Sequence, residues 1–199
     1  MDNPENINPT GSNMLSASKA RVELDSGEIS SEKLVRDCLD RIKTRDVDIE
    51  AWVYLDPELA LEQAKTKDKE TPKGLLHGIP IGIKDIIYTK DQLTTFGSKI
   101  YSRFKPEYDA SVVSILKQVG IVIMGKTVTT EFAYMDPPPT LNPWDFQCTP
   151  GGSSSGSAVG VAAGIFPVAL GTQTAGSVVR PASYNGVVGF KPTFSIIQN

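Results

Sequence analysis

The apolar positions of this chain follow a helical period in its first third and change character afterwards. Residues 16–24 repeat with helical spacing, and Gly27 breaks the pattern. Ser30 or Ser31 is placed to cap a second helix carrying Leu34, Val35, Cys38, Leu39 and Ile42 on one face. Asp56-Pro57-Glu58 opens a third helix with Pro in its first turn, and the charged run 65–70 closes it as a solvated face. Residues 79–87 are too apolar and β-branched for a surface loop and predict a buried strand despite Pro80 and Gly82. Asp109 is expected to cap a helix that turns Val112, Val113, Leu116 and Val119 inward and stops at Gly120. Residues 121–124, 166–170 and 186–190 read as further buried strands, and the small-residue stretch 155–164 as a closely packed helix. Helices alternating with parallel-type strands predict an α/β fold with a mixed sheet buried between helices. Residues 1–13 are expected to be a flexible tail and 14–199 a domain.

Composition narrows the function classes. A chain of 199 residues buries roughly 70% of its unfolded surface, enough for one real core. The net charge of -3 gives no electrostatic footprint for nucleic acid or an anionic membrane, so neither is an expected partner. No apolar run approaches the roughly 20 residues of a membrane helix. The first residues lack the basic and apolar regions of a signal peptide, and a cytoplasmic setting is expected. Two cysteines, Cys38 and Cys148, and one histidine, His77, form neither a disulfide framework nor a metal-ligand cluster, so no metal or cofactor is expected.

The chemistry concentrates in three places. Gly151-Gly152-Ser153-Ser154-Ser155-Gly156-Ser157 and Gly171-Thr172-Gln173-Thr174-Ala175-Gly176-Ser177 put serines on glycine turns either side of a small-residue stretch. Upstream, Lys84 stands alone among Ile81, Ile83, Ile86 and Ile87. Burial there would disfavour the ammonium and bring its pKa down from about 10.4 toward a usable base. Two rival motifs fail. Gly152-x-Ser154-x-Gly156 matches the nucleophile elbow of α/β-hydrolases, but no histidine follows it. Gly125-Lys126-Thr127 ends like a P-loop, but Gly120 is displaced by one position. Ser30-x-x-Lys33 reads as helix capping.

The two serine-glycine runs, together with Gly186-Val187-Val188-Gly189-Phe190-Lys191-Pro192-Thr193, Gly78-Ile79-Pro80-Ile81-Gly82-Ile83-Lys84-Asp85 and Thr130-Glu131-Phe132-Ala133, resemble the amidase signature family in order from about Ser16 onward. The resemblance implies hydrolysis of a small-molecule amide by a Ser–cis-Ser–Lys triad. Ser177 would be the acyl-forming nucleophile, Ser153 the bridging serine after a cis Gly152–Ser153 bond, and Lys84 the base. Backbone N–H groups of Thr174, Ala175, Gly176 and Ser177 would form the oxyanion hole, with Ala175 where many members have glycine. Arg180 has two readings. It resembles the arginine that holds a substrate carboxylate in malonamidase-type members, or it is a structural ion pair with Glu131 or Asp136. Family members run to more than twice this length, so the chain matches the N-terminal part of that fold. Two other contexts stay open: the amidase subunit of a tRNA-dependent amidotransferase, and an inactive fragment or interaction module. Uncovered strand edges and apolar faces predict self-association, with segments 79–87 and 121–124 as the adhesive surfaces.

Overall fold

The computed structural model describes residues 11–90 and 92–197. Three N-terminal helices form where their caps predict. In α1 (Ala17–Ser26) the Ser16 hydroxyl accepts from Lys19 N–H, and Gly27 ends the helix in the left-handed conformation. In α2 (Ser31–Ile49) the Ser30 hydroxyl accepts from Lys33 N–H at 3.0 Å, so the Ser-x-x-Lys run is a cap. In α3 (Pro57–Lys67) the Asp56 carboxylate accepts from Leu59 N–H. Most of the expected tail lies outside the described residues. Within it, residues 11–13 are docked: the Asn13 amide donates to the Gly164 carbonyl at 2.6 Å, and Ser12 binds the Asp37 carboxylate.

The sheet has the order β1-β3-β2-β4, built from β1 (Trp52–Leu55), β2 (Pro80–Lys84), β3 (Val122–Thr127) and β4 (Val168–Leu170). The pair β1/β3 is antiparallel, while β2/β3 and β2/β4 are parallel. Both faces of the centre are covered, as parallel strands require. Val122 and Met124 join the large core formed by Leu34, Val35, Cys38 and Ile42 of α2 with Phe166. Ile121 and Ile123 pack with Ile81, Ile83 and Val113 on the other face. A register shift opposite Ile81/Gly82 inserts one residue into β3, so the alternation of its side chains switches after Met124. Lys126 therefore shares the face of its partner Ile83, while Lys84 and its partner Thr127 point the other way.

Three expectations need correction. Asp109 does not cap α4 (Ser111–Gln118); Ala110 holds the cap position without a side-chain bond. Asp109 instead accepts Lys90 N–H and pairs with Lys117 at 2.8 Å, and the charge partner outcompetes the cap. Residues 186–190 are not a buried strand: they are irregular, with Val188 97% and Phe190 78% exposed, and among the described residues no strand lies beside them to take up their backbone bonds. Segments 79–87 and 121–124 are not adhesive surfaces, because β2 and β3 are buried along their whole length.

Candidate active site

The site grows from the C-terminal ends of two parallel strands. The β2/β4 register pairs Ile83 with Leu170, so the next residues of each strand emerge side by side. Those residues are Lys84 and, after Gly171, Thr172. Crevices at the carboxyl ends of parallel strands are where open α/β sheets bind ligands. Lys84 is fully buried. Its Nζ lies 2.6 Å from Ser153 Oγ and 2.8 Å from Thr172 Oγ1, with the Thr172 carbonyl at 3.5 Å.

Ser153 enters from the loop before α5 (Ser155–Ala162), after a cis Gly152–Ser153 peptide bond. Its carbonyl accepts Thr130 N–H at 3.2 Å. The next residue ties the loop to the irregular segment that follows β4. Ser154 Oγ donates to the Thr172 carbonyl at 3.2 Å and accepts Thr172 N–H at 3.3 Å. Ser154 N–H donates to the Ser177 carbonyl at 3.1 Å. This approach needs Gly171, since a Cβ there would stand 2.8 Å from Ser154 Oγ. Gly156 serves α5 likewise: a Cβ would meet the Ala51 carbonyl at 2.2 Å. Ser154 is therefore a buried clasp with both hydrogen-bonding roles used, unlike the exposed serine of a nucleophile elbow.

Ser177 lies within one residue of this clasp and is half-buried. Among the described residues its hydroxyl has no hydrogen-bond partner. Thr174 and Ala175 are exposed and Gly176 half-buried, so the turn faces solvent ahead of α6 (Val179–Tyr184). Gln173 Oε1 accepts the N–H groups of both Val178 and Val179, at 2.8 and 2.9 Å. Arg180 is exposed, its guanidinium beside Gly176, and no ion pair joins it to Glu131 or Asp136 among the described residues.

Burial lowers the Lys84 pKa to about 7. The adjacent Asp85 does not offset this. Its carboxylate accepts Thr95 N–H at 3.0 Å, bonds the Thr95 hydroxyl, and receives Gly97 N–H at 3.5 Å. Burial pushes the Asp85 carboxyl up, opposed by those donors. His77 sits at the opposite end of β2, with its Nε2 3.0 Å from the Lys67 carbonyl. Seven residues of largely extended chain put it roughly 20 Å from Lys84. The structure thus brings together Lys84, Ser153 and the Ser177 backbone, and leaves Thr174, Ala175, Gly176 and Arg180 along the open side. Sequence reasoning missed Thr172 and Gln173, the first two polar residues after the strand. Their position in Gly171-Thr172-Gln173, one step beyond a strand parallel to the lysine strand, was the available signal.

The profile of the protein family described as Amidase matches residues 33–197. A glutamyl-tRNA(Gln) amidotransferase subunit of Desulforapulum autotrophicum is 46% identical over 188 residues, covering 90% of this chain and 38% of that protein. The protein of the same name from Natranaerobius thermophilus is 45% identical over 185 residues, covering 88% and 38%. The peptide amidase of Stenotrophomonas maltophilia superposes with a TM-score of 0.87 at 37% identity, over 92% of this chain and 41% of that one. The chain therefore spans about two fifths of the length of the relatives it matches.

Proposed function

The chain belongs to the amidase family, and we propose that it carries that family's hydrolysis of a carboxamide C–N bond through an acyl-enzyme on Ser177. The observation that carries the reading is the 2.6 Å contact between the buried Lys84 Nζ and Ser153 Oγ. With its pKa lowered to about 7, Lys84 has a substantial neutral fraction near neutral pH that grows as pH rises, and its lone pair can accept a proton. The Ser177 oxygen attacks the carbonyl carbon and gives its proton to Ser153 Oγ, while the Ser153 proton passes to Lys84 Nζ. The oxyanion forms against the N–H groups of the turn 174–177. Collapse of the intermediate breaks the C–N bond, and the proton held on Lys84 returns through Ser153 to the departing nitrogen. Water then adds to the acyl carbon by the same relay, and Ser177 is released.

The guanidinium of Arg180 borders the turn beside Gly176, which favours its reading as a contact for a substrate carboxylate. Ammonia release from a panel of small primary amides, with and without a terminal carboxylate, tests the reading. Turnover should vanish in Ser177→Ala, and fluorophosphonate labelling should map to Ser177. A label on Ser154 would overturn the assignment.

A second reading rests on the relatives' names. Proteins 45–46% identical to this chain are named as glutamyl-tRNA(Gln) amidotransferase subunits, which favours glutamine as amide donor and a multi-protein complex as the setting. Glutaminase activity that appears only with co-purifying proteins would support it. The thiols Cys38 and Cys148 are free, consistent with a cytoplasmic setting. Self-association through the exposed face around Val188 and Phe190 completes the reading.

A further inference from the structure

The segment 174–177 carries the proposed nucleophile and oxyanion donors, and one side chain closes it into a ring. Gln173 precedes the segment, and its Oε1 accepts the N–H groups of Val178 and Val179, which follow it, at 2.8 and 2.9 Å. Two converging N–H donors identify the accepting atom as the amide oxygen. The helix α6 has no side-chain cap from its own N-cap residue, Val178, so Gln173 supplies that acceptor from five positions upstream. The ring is anchored on its inner side by Ser154 N–H on the Ser177 carbonyl, and on its outer side by Arg180 N–H on the Gly176 carbonyl at 2.8 Å. Thr174 and Ala175 of the turn are solvent-facing, so packing does not hold them.

We infer that Gln173 is a positioning residue: its side-chain carbonyl fixes the turn so that the Ser177 hydroxyl and the N–H groups beside it address one point. The inference rests on the assignment of Ser177 as nucleophile. An oxyanion hole acts because its dipoles are oriented before charge develops, so slack in the turn lowers the rate without moving the base. The residue does not touch Lys84; its neighbour Thr172 does. The height of the pH–rate profile and its midpoint therefore report separate parts.

The test uses the full chain and a fluorophosphonate probe, whose phosphoryl oxygen occupies the oxyanion position when Ser177 is labelled. Gln173→Met keeps the side-chain length and removes the acceptor. Gln173→Glu keeps an acceptor for both N–H groups. The labelling rate should fall roughly 10- to 100-fold in Gln173→Met, with the midpoint of its pH profile unmoved, and stay within about 5-fold of wild type in Gln173→Glu. Equal rates in Gln173→Met and wild type would overturn the inference. So would a Gln173→Glu variant as slow as Gln173→Met, or one slowed by more than about 10-fold. The second of these outcomes decides the matter even if Gln173→Met fails to fold. Failure of wild type to label at Ser177 would instead strike the underlying assignment.

Discussion

Two lysines are buried in the same pair of strands, and only one is proposed as a base. Lys84 on β2 and Lys126 on β3 are both fully buried and lie on opposite faces of the sheet. Burial lowers both, to about 7 for Lys84 and about 8 for Lys126. The neighbours differ. Lys126 donates to the Ile87 carbonyl, to Thr94 Oγ1 at 2.8 Å and to Thr89 Oγ1 at 3.3 Å. Asp85 and Asp109 act on it as counter-charges that favour the ammonium. Its three donors have three acceptors, so it is a satisfied cation that ties the strand to the loop 87–94. Among the described residues no carboxylate acts on Lys84, and its hydroxyl partner Ser153 precedes Ser154, whose N–H bonds the Ser177 carbonyl, so that hydroxyl stands beside the proposed nucleophile's turn. Burial alone does not make a base. A neutralised amine next to a proton-bearing relay, with no counter-charge to hold the ammonium, does.

The strongest way to break this comparison is to remove each lysine in turn. Lys84→Met should lose at least ~10²-fold in kcat, the scale of general-base catalysis. Lys126→Met should leave the midpoint of the pH–rate profile in place and cost roughly 1–3 kcal/mol of stability, because it removes the counter-charge from the buried Asp85 carboxylate as well as orphaning acceptors. An activity loss in Lys126→Met with a shifted midpoint would erase the distinction. Lys84→Met also has a stability signature. A lysine ordinarily near 10.5 and held at about 7 in the folded chain is a burden fully present below 7. Between those values the unfolded chain binds more protons, so the burden lightens as pH rises. Lys84→Met should therefore melt higher than wild type at about pH 6, and the gain should shrink by about pH 9.5.

A smaller effect sharpens the role of the second partner. The Thr172 hydroxyl accepts from Lys84 Nζ and so favours the charged form. Thr172→Val should lower activity roughly 10-fold and move the ascending limb of the pH–rate profile to lower pH. Thr172→Ser should restore both. An unmoved limb in Thr172→Val would remove Thr172 from the account.

The contrast also explains what could be read in the sequence. Lys84 was legible because a charge inside an isoleucine run is anomalous, and Ser153 because its glycines mark a sharp turn. Ser30, Asp56 and Gly27 announced helix ends through local chemistry that needs no distant partner. Lys126 stood out only as the end of a phosphate-loop motif that failed on spacing, and its role stayed unread because its partners are a carbonyl and two threonines from another segment. Thr172 was missed for the same reason: its bond to Lys84 spans 88 positions and depends on the parallel β2/β4 register. Asp109 was misread because local rules favour a cap, and the ion pair with Lys117 overrode them. The strand β1 carries four residues, Trp52–Leu55, with no clean alternation, and only its pairing with β3 defines it.

The smallest expected effect concerns the surface. Val188, Phe190 and Phe194 are 97%, 78% and 85% exposed, in contrast to the fully buried strands. The double substitution Val188→Thr, Phe190→Ser should reduce self-association in size-exclusion chromatography with light scattering. It should change stability by no more than about 0.5 kcal/mol, as solvated positions do. A wild-type chain that runs as a monomer, or association unchanged in the double variant, would contradict the proposed role of this face.

The central claim is that Lys84 is a neutral amine at working pH, and its titration can be observed directly. Isotope-labelled lysine, with the Lys84 ε-methylene signal assigned by its loss in Lys84→Met, gives a pH titration by nuclear magnetic resonance. The account predicts a midpoint at about 7, well below the ordinary lysine value of 10.5. A midpoint at the ordinary value would mean that Lys84 stays an ammonium throughout, and would contradict its role as the base.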